Sequence, residues 1–157
     1  MQQINYFLPI QKRLLLWAGL LLMSGSLSAQ VHVLNQGAQV RMDPGTHMTV
    51  SGNVHHLNAG HHPGWKLEGQ LKVSGNWNST FFSQPIRVSG NGNVLFDGNQ
   101  AQWLDGFAPT HFSRIQVANP MGLYLDLDME VGEELALTAG HIYTGNYALT
   151  LHNPTAF

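Results

Sequence analysis

The feature that most constrains the fold is a series of short segments in which apolar residues alternate with polar ones. From Val31 onward each segment runs for three to five residues and ends in Gly, Asn, Asp or Pro. Such alternation places the apolar side chains on one face of a strand, and the residues that follow are typical of turns. No stretch after Val31 keeps a sustained helical period of apolar residues. The sequence therefore predicts an all-β chain of short strands without helices.

A repeated tetrapeptide suggests how these strands are arranged. Val-Ser-Gly-Asn occurs at 50–53, 73–76 and 88–91. The intervals are unequal, but both lie near the range of solenoid coils. In a β-solenoid Val would face the interior and Ser the solvent, while Gly and Asn would take left-handed or other special geometry at a corner. One coil cannot bury its apolar face alone, so its neighbours must stack on it. A parallel β-solenoid is predicted, and an antiparallel β-sandwich with Gly-Asn hairpins is the alternative.

The composition agrees with strands joined by many turns. Only 10% of the residues are charged, and 17 are glycine. Helix-rich proteins carry many Glu, Lys, Arg and Ala residues, whereas this chain is rich in Asn, Gly, Ser, Thr and Gln. There is no cysteine. Disulfides, thiolate metal sites and a cysteine nucleophile are therefore excluded.

The N-terminus has the pattern of a secretory signal peptide. Lys12 and Arg13 precede an apolar run at 14–23, and the small residues of "SGSLSAQ" follow. We expect cleavage after Ala29. The apolar run is too short to cross a bilayer as a helix, and an uncleaved membrane anchor is the alternative. Without a cysteine, lipid anchoring through an N-terminal cysteine is excluded.

The remaining chain, residues 30–157, is expected to form one β-solenoid domain. Removal of the predicted signal peptide, residues 1–29, leaves five Lys and Arg against nine Asp and Glu, a net charge of -4. Nucleic-acid binding requires clustered basic residues, so this function is disfavoured. A signal peptide also predicts that the protein is secreted.

Long stretches of the chain resemble a recurring segment of large exported proteins of Bacteroidetes. The stretches are "GAQVRMDPGTHMTVSGNV", "WKLEGQLKVSGNWNST" and the run from Gly90 to Asn153. The "LSAQ" at the end of the signal peptide is also similar to that group. The matching positions in the longest stretch include Gly92, Val94, Phe96, Gly98, Gln102, Gly106, Phe112, Ile115, Val117, Asn119, Gly140, Ile142, Thr144, Leu149 and Leu151.

The resemblance implies a right-handed parallel β-helix, or a similar solenoid, that is exported by the type IX secretion system. The implied role is that of a cell-surface, adhesin-like repeat protein and not that of an enzyme. Such proteins usually end in a C-terminal sorting domain, whereas this sequence stops at "LHNPTAF". We therefore expect a domain truncated at its C-terminus. Its last coil, near Leu149 and Leu151, would have an open edge available for self-association.

Four histidines raise the question of a metal site. They form two adjacent pairs, His55-His56 and His61-His62. Adjacent residues of a strand point to opposite faces, so each pair easily offers only one ligand. No Asp or Glu lies between Asp43 and Glu68 to complete the site. We therefore interpret the histidines as part of a polar loop, with adventitious or functional metal binding as the alternatives.

The acidic and aromatic residues allow two further hypotheses. Asp126, Asp128 and Glu130, with Glu133 and Glu134, could bind calcium or form a carboxylate pair, but a solvated outer face is the simpler interpretation. Four aromatic residues could form a sugar-stacking platform; these are Trp65, Trp77, Trp103 and Tyr124. Division of these rings between the core and the coil edges is the simpler alternative.

Taken together, the residues and the resemblance predict a non-enzymatic structural or adhesin-like module that is secreted or displayed on the outer surface of a Gram-negative cell. No nucleophile motif of the G-x-S-x-G type occurs. We therefore predict no catalytic residue, no metal site and no cofactor. Weak glycan or surface-protein contacts are expected on the outer polar face. A carbohydrate-binding or carbohydrate-active β-helix domain is the alternative function.

Overall fold

The computed structural model describes residues 30–57, 64–80 and 84–153. Over these ranges the chain forms fifteen β-strands and no helix, as the alternation predicts. Consequently, nothing in the described part of the chain could cross a membrane as a helix. The predicted signal peptide and the pair His61-His62 lie outside the described residues.

Six strands stack into the first face of the protein. Each pairs in parallel with the equivalent strand of the next coil. In stacking order they are β1 (Val33–Asn35), β4 (Val54–His56), β7 (Trp77–Ser79), β10 (Gln102–Gly106), β12 (Leu123–Leu125) and β14 (Ile142–Tyr143).

The other strands form a second and a third face, which two long strands join into one sheet. The second face contains β2 (Gln39–Met42), β5 (Gly64–Leu67), β8 (Ile86–Ser89) and β15 (Leu149–Leu151), and the third face contains β3 (His47–Val50), β6 (Gln70–Val73) and β9 (Asn93–Phe96). The long strands, β11 (Thr110–Ala118) and β13 (Met129–Ala139), cross from the second face to the third. A register shift between Phe112 and Arg114 marks where they cross.

The molecule is therefore a parallel β-solenoid of five coils and the start of a sixth. Every strand pair among the described residues is parallel, which excludes the β-sandwich alternative for this part of the chain. Coil length varies, as predicted, but the short interval before the third repeat is not a coil length, because that copy lies at a different corner. The coil that leads from Trp77 to its register partner Leu104 is longer than the coils on either side, and the last one, from Leu123 to Ile142, is the shortest of the first face.

Two of the three Val-Ser-Gly-Asn copies occupy equivalent positions. Val50 pairs with Val73 on the third face, and both side chains are fully buried. The third copy begins at Val88, which pairs with Trp65 on the second face. It therefore lies at a different corner of the coil, which explains why it follows the second copy by less than one full coil.

The predicted backbone geometry of these corners is only partly correct. Gly90, in the third copy, has a φ of 99°, as a left-handed corner requires. None of the described residues other than glycine has a positive φ, so the asparagines do not adopt that conformation. In the second copy, Gly75 is needed for close approach instead. A Cβ there would lie 2.5 Å from the carbonyl of Gly52 in the coil below.

The interior is a continuous apolar column with an aromatic centre. Trp77 is fully buried, and its ring lies 5.3 Å from that of Phe112, 6.1 Å from that of Trp65 and 6.4 Å from that of Phe96, measured between centroids. These rings come from four different strands on all three faces. Burying such large side chains between coils is the main favourable contribution to folding.

Buried amides hold one corner of the column together. The Gln102 side chain donates to the carbonyls of Val73 and Gly75 at 2.9 and 2.6 Å and accepts from the Gly98 amide at 2.8 Å. Asn119 in turn donates to the Gln102 side chain at 3.0 Å. The bonds to Gly75 and Gly98 supply partners for backbone groups that have none in a strand ladder, as buried polar groups require. The Val73 carbonyl also accepts from the Asp97 amide at 3.2 Å.

Candidate ligand-binding face

The outer surface of the first face carries a column of aromatic side chains. Trp103 on β10, Tyr124 on β12 and Tyr143 on β14 are register partners on successive coils. Each follows or precedes a residue that faces the core, so its own side chain points outward. We call these three residues the aromatic ladder. Trp103 is 40% exposed and Tyr143 is 45% exposed, so the ladder is accessible from solvent.

The rings of the aromatic ladder are stacked on one another. The centroids of Trp103 and Tyr124 are 4.9 Å apart with 27° between the planes, and those of Tyr124 and Tyr143 are 4.4 Å apart with 15° between the planes. These separations are close to the spacing of neighbouring strands, about 4.8 Å. The rings therefore cover one another along the solenoid axis and turn their edges to solvent.

This geometry restricts where a sugar could bind. A sugar stacks against the face of an aromatic ring, and Tyr124 has both faces covered by its neighbours. Tyr143 is the last ring of the ladder, and among the described residues no ring is stacked on its other face. The aromatic ladder is therefore not a flat platform, and a stacked ligand would bind to the outer face of Tyr143.

A column of polar side chains runs beside the aromatic ladder. Asn78 and Asp105 are register partners, and the Asn78 amide donates to the Asp105 carboxylate. Asp126 is the next residue in this column, because its amide donates to the Leu104 carbonyl, 2.9 Å away. Tyr147 lies close to Asp126. We call Asn78, Asp105 and Asp126 the polar column.

The electrostatics of the polar column make Asp105 easier to protonate than an ordinary aspartate. Desolvation raises the pKa of this carboxyl, the amide of Asn78 opposes the rise, and the negative charge of Asp126 adds to it. The charge of Asp126 is also the largest cause of the raised pKa of Tyr147, followed by desolvation. Carboxyls and amides beside an aromatic edge can hydrogen-bond the hydroxyls of a saccharide.

Two of the four aromatic residues proposed for a sugar platform lie elsewhere. Trp65 and Trp77 are 1% and 0% exposed and belong to the core, so their inclusion in the platform is wrong. Trp103 and Tyr124 are the two that the structure brings together. Trp77 is the register partner of Leu104, which faces inward, so Trp77 faces inward as well. Trp103 is the residue before Leu104 and therefore points outward by alternation.

The described histidine pair belongs to a strand and not to a loop. His55 and His56 lie in β4 and point to opposite faces, so the polar-loop interpretation is wrong for them. His56 is fully buried; it accepts a hydrogen bond from the Trp65 indole at 2.8 Å, and its other nitrogen lies 3.2 Å from the Asn78 carbonyl. Burial lowers the pKa of His56 to about 4, so the ring is neutral at pH 7. Its role is that of a hydrogen-bonded core residue.

No metal centre is formed by the residues that the structure describes. Over these residues no three His, Asp or Glu side chains converge in a way that could hold an ion. The rings of His32 and His55 approach to 6.3 Å between centroids, which brings together only two potential ligands. The second pair, His61-His62, lies outside the described part of the chain, so a metal site that combines the two pairs stays an untested alternative.

The acidic run is a solvated outer surface with local partners. Asp126 and Asp128 are exposed and alternate with the buried Leu125 and Leu127, as expected, although they lie in the turn before β13. Glu130 lies between two histidines, with its carboxylate oxygens 3.2 Å from His111 Nε2 and 2.8 Å from His152 Nε2.

The two remaining acids of the run have a different partner. Arg114 pairs with Glu133 at 2.8 Å and with Glu134 at 3.4 Å. These pairs are partly exposed, so each contributes little to stability. Beside them, on the third face, is a shallow depression of about 200 Å³, which Asn91, Asn93 and Gln116 also line.

Sequence reasoning missed four residues of the face, namely Asn78, Asp105, Tyr143 and Tyr147. A signal for Tyr143 is present, because Trp103, Tyr124 and Tyr143 recur in the sequence at intervals of one coil. No family model matches this chain, and no curated protein or solved structure shows significant similarity to it.

Proposed function

We propose that the chain is a non-enzymatic, adhesin-like structural module that is exported and displayed at the cell surface. The observation that carries this proposal is the repetition of outward side chains at one per coil along a rigid parallel ladder. Such a surface presents the same chemical group many times in line, which suits weak multivalent contacts.

The outer surface supports this role by its chemistry. Outward positions are mostly uncharged, and several form axial hydrogen bonds, for example Gln70 to Asn93 at 3.3 Å and Gln116 to Thr138 at 3.3 Å. Axial bonds of this kind link the coils on the outside while the apolar column links them on the inside. We further propose that the coil is right-handed, because connections between parallel strands of one sheet are right-handed in about 98% of cases.

The proposed export rests on the sequence. A signal peptidase requires basic residues, a short apolar run and small residues at the cleavage site. Export through the type IX route is part of the proposal, on the resemblance to Bacteroidetes surface proteins. Expression of the full reading frame in a Bacteroidetes host tests both parts. We expect Gln30 as the new N-terminus and loss of the protein when intact cells are treated with protease. Retention of residues 1–29, or protection from protease on intact cells, would contradict the proposal.

Carbohydrate binding is the second candidate, and the aromatic ladder with the polar column specifically favours it. The ligand would stack on the outer face of Tyr143 and hydrogen-bond Asp126 or its neighbours. Glycan-array binding that is lost in Tyr143→Ala would support this function. Phe107→Ala is the matched control, because Phe107 is 65% exposed on the same coil as Trp103 but is not part of the ladder.

The same protein also tests the enzymatic alternative. Any glycan bound on the array should be incubated with the protein and assayed for new reducing ends. Release of reducing ends that is lost in Asp105→Asn would overturn the non-enzymatic proposal. Binding without release would identify the module as a lectin-like adhesin, and a blank array would remove carbohydrate as the ligand class.

A further inference from the structure

The apolar column is open at the C-terminal end of the described chain. Leu137 pairs with Val117 and, like it, faces the column. Val117 is fully buried, whereas Leu137 is 52% exposed. Within the described residues β13 pairs with β15 only through Met129–Val131, so its second part has no partner on the side away from β11. The third face therefore ends in an unpaired strand edge beside apolar side chains.

The N-terminal end of the column has the complementary features. β1, β2 and β3 are the first strands of the three faces and, among the described residues, each pairs on one side only. Val33, Val40 and Met48 face the column from these strands but are only partly buried. The end therefore offers one parallel strand edge per face, with apolar side chains inside.

Charge is distributed very unevenly between the two ends. Residues 30–122 contain five Lys and Arg and four Asp and Glu, a formal net charge of +1. Residues 123–153 contain five Asp and Glu and no Lys or Arg, a formal net charge of -5. Two C-terminal ends would therefore repel each other, whereas a C-terminal end and an N-terminal end would not. At the N-terminal end itself Arg41 on β2 forms an ion pair with Asp43, with Arg41 Nε 3.0 Å from Asp43 Oδ1, so this end has no net formal charge.

We propose that the C-terminal end of the solenoid binds the N-terminal end of a second copy. The second part of β13, with β14 and β15, would continue into β3, β1 and β2 of the next copy as if these were the next coil. The hydrogen bonds and the side-chain column would be of the kind already present between coils inside the molecule. Such a head-to-tail contact is heterologous and does not close, so it produces linear assemblies. This inference does not depend on the proposed surface function, but it competes with the carbohydrate alternative, because β1 of the next copy would cover the outer face of Tyr143 on β14.

Sedimentation velocity on protein exported from the full reading frame tests the proposal. We expect a series of species that grows with protein concentration at low salt. High salt should change this association little, because the N-terminal end has no net formal charge and there is no attraction between the ends to screen. Leu137→Lys should weaken association by roughly tenfold or more, since a charge would be buried in the contact. Met121→Lys is the matched control; Met121 is 54% exposed but lies in the turn before β12, at the side of the solenoid.

Mixing two blocked variants distinguishes a head-to-tail contact from a symmetric one. Leu137→Lys leaves the N-terminal end intact, and Met48→Lys leaves the C-terminal end intact. Each variant alone should be monomeric, and the mixture should form a one-to-one dimer that does not grow further. Circular dichroism identical to that of the wild type confirms that each variant is folded, and Leu135→Lys replaces Leu137→Lys if the latter is not.

Three results would overturn the proposal. A wild-type monomer at every concentration and salt would show that the end is covered by the chain's own residues. Equal association of Leu137→Lys and Met121→Lys would place the contact on the side of the solenoid. Blocked variants that remain monomeric on mixing, while the wild type stops at a dimer, would indicate a symmetric contact between like ends.

Discussion

Acidification should destabilise this protein by a specific route, the protonation of His56 in the core. The ring is fully buried and contacts Trp77, with centroids 4.7 Å apart. Its Nε2 accepts a hydrogen bond from the Trp65 indole N–H, 2.8 Å away. Nδ1 faces the Asn78 carbonyl at 3.2 Å. Protonation would place an N–H on Nε2 against the indole donor and would bury a charge among apolar side chains.

The magnitude follows from the pKa of His56, which desolvation by burial lowers from 6.5 to about 4. The unfolded chain binds a proton near pH 6.5, and the folded chain does so only near pH 4. Between these values the unfolded state holds more protons, so the free energy of unfolding decreases as the pH falls through this window. One pKa unit corresponds to about 1.4 kcal/mol, so the total loss from His56 is about 3 kcal/mol.

Urea denaturation followed by tryptophan fluorescence measures this effect, because Trp65 and Trp77 are buried. We expect the free energy of unfolding of the wild type to fall by about 3 kcal/mol more than that of His56→Gln between pH 7 and pH 4. Glutamine keeps a donor and an acceptor but does not titrate. His47→Gln removes an exposed histidine and should keep the wild-type slope. Parallel slopes for the wild type and His56→Gln would refute the reasoning.

Three further predictions concern stability and can be read from thermal or urea unfolding. Gly75→Ala should destabilise the protein by about 1–3 kcal/mol, because the new Cβ would lie 2.5 Å from the carbonyl of Gly52. Gly132→Ala is its control and should be close to neutral, because a Cβ at Gly132 would lie 3.7 Å from the nearest atom. Trp77→Ala should cost about 3–5 kcal/mol, since it removes the centre of the aromatic core; a near-neutral effect would contradict that role. Gln102→Met should cost about 2–4 kcal/mol by leaving the Gly75 carbonyl and the Gly98 amide unpaired, and wild-type stability would show that water replaces the side chain.

The sequence could predict the class of fold because the constraint is local. Val50 and Val73 alternate with polar residues and precede the same Ser-Gly-Asn corner, and the structure pairs them one coil apart. The third copy of that corner, at Val88, shows the limit of the method. A tetrapeptide specifies a turn but not which corner of the coil it forms, since that depends on the register of strands in the neighbouring coils.

The candidate site was only partly predictable for the same reason. Trp103 and Trp77 are both aromatic residues in alternating segments, yet one is 40% exposed and the other is fully buried. The faces to which they point follow from the strand register across coils. Similarly, His55 and His56 are chemically identical neighbours. Alternation along β4 places the His55 ring outward and the His56 ring in the core.

The sequence by itself determined that the described chain would be short strands and turns, because alternation and turn residues act through neighbouring positions. The uneven spacing of the repeats did not by itself determine the coil lengths, because the third copy forms a different corner from the first two. Only the tertiary structure decided that Trp103, Tyr124 and Tyr143 form one stack and that His56 bonds to Trp65. These contacts join residues on different strands, and their geometry is set by stacking one coil on the next, which no local pattern encodes.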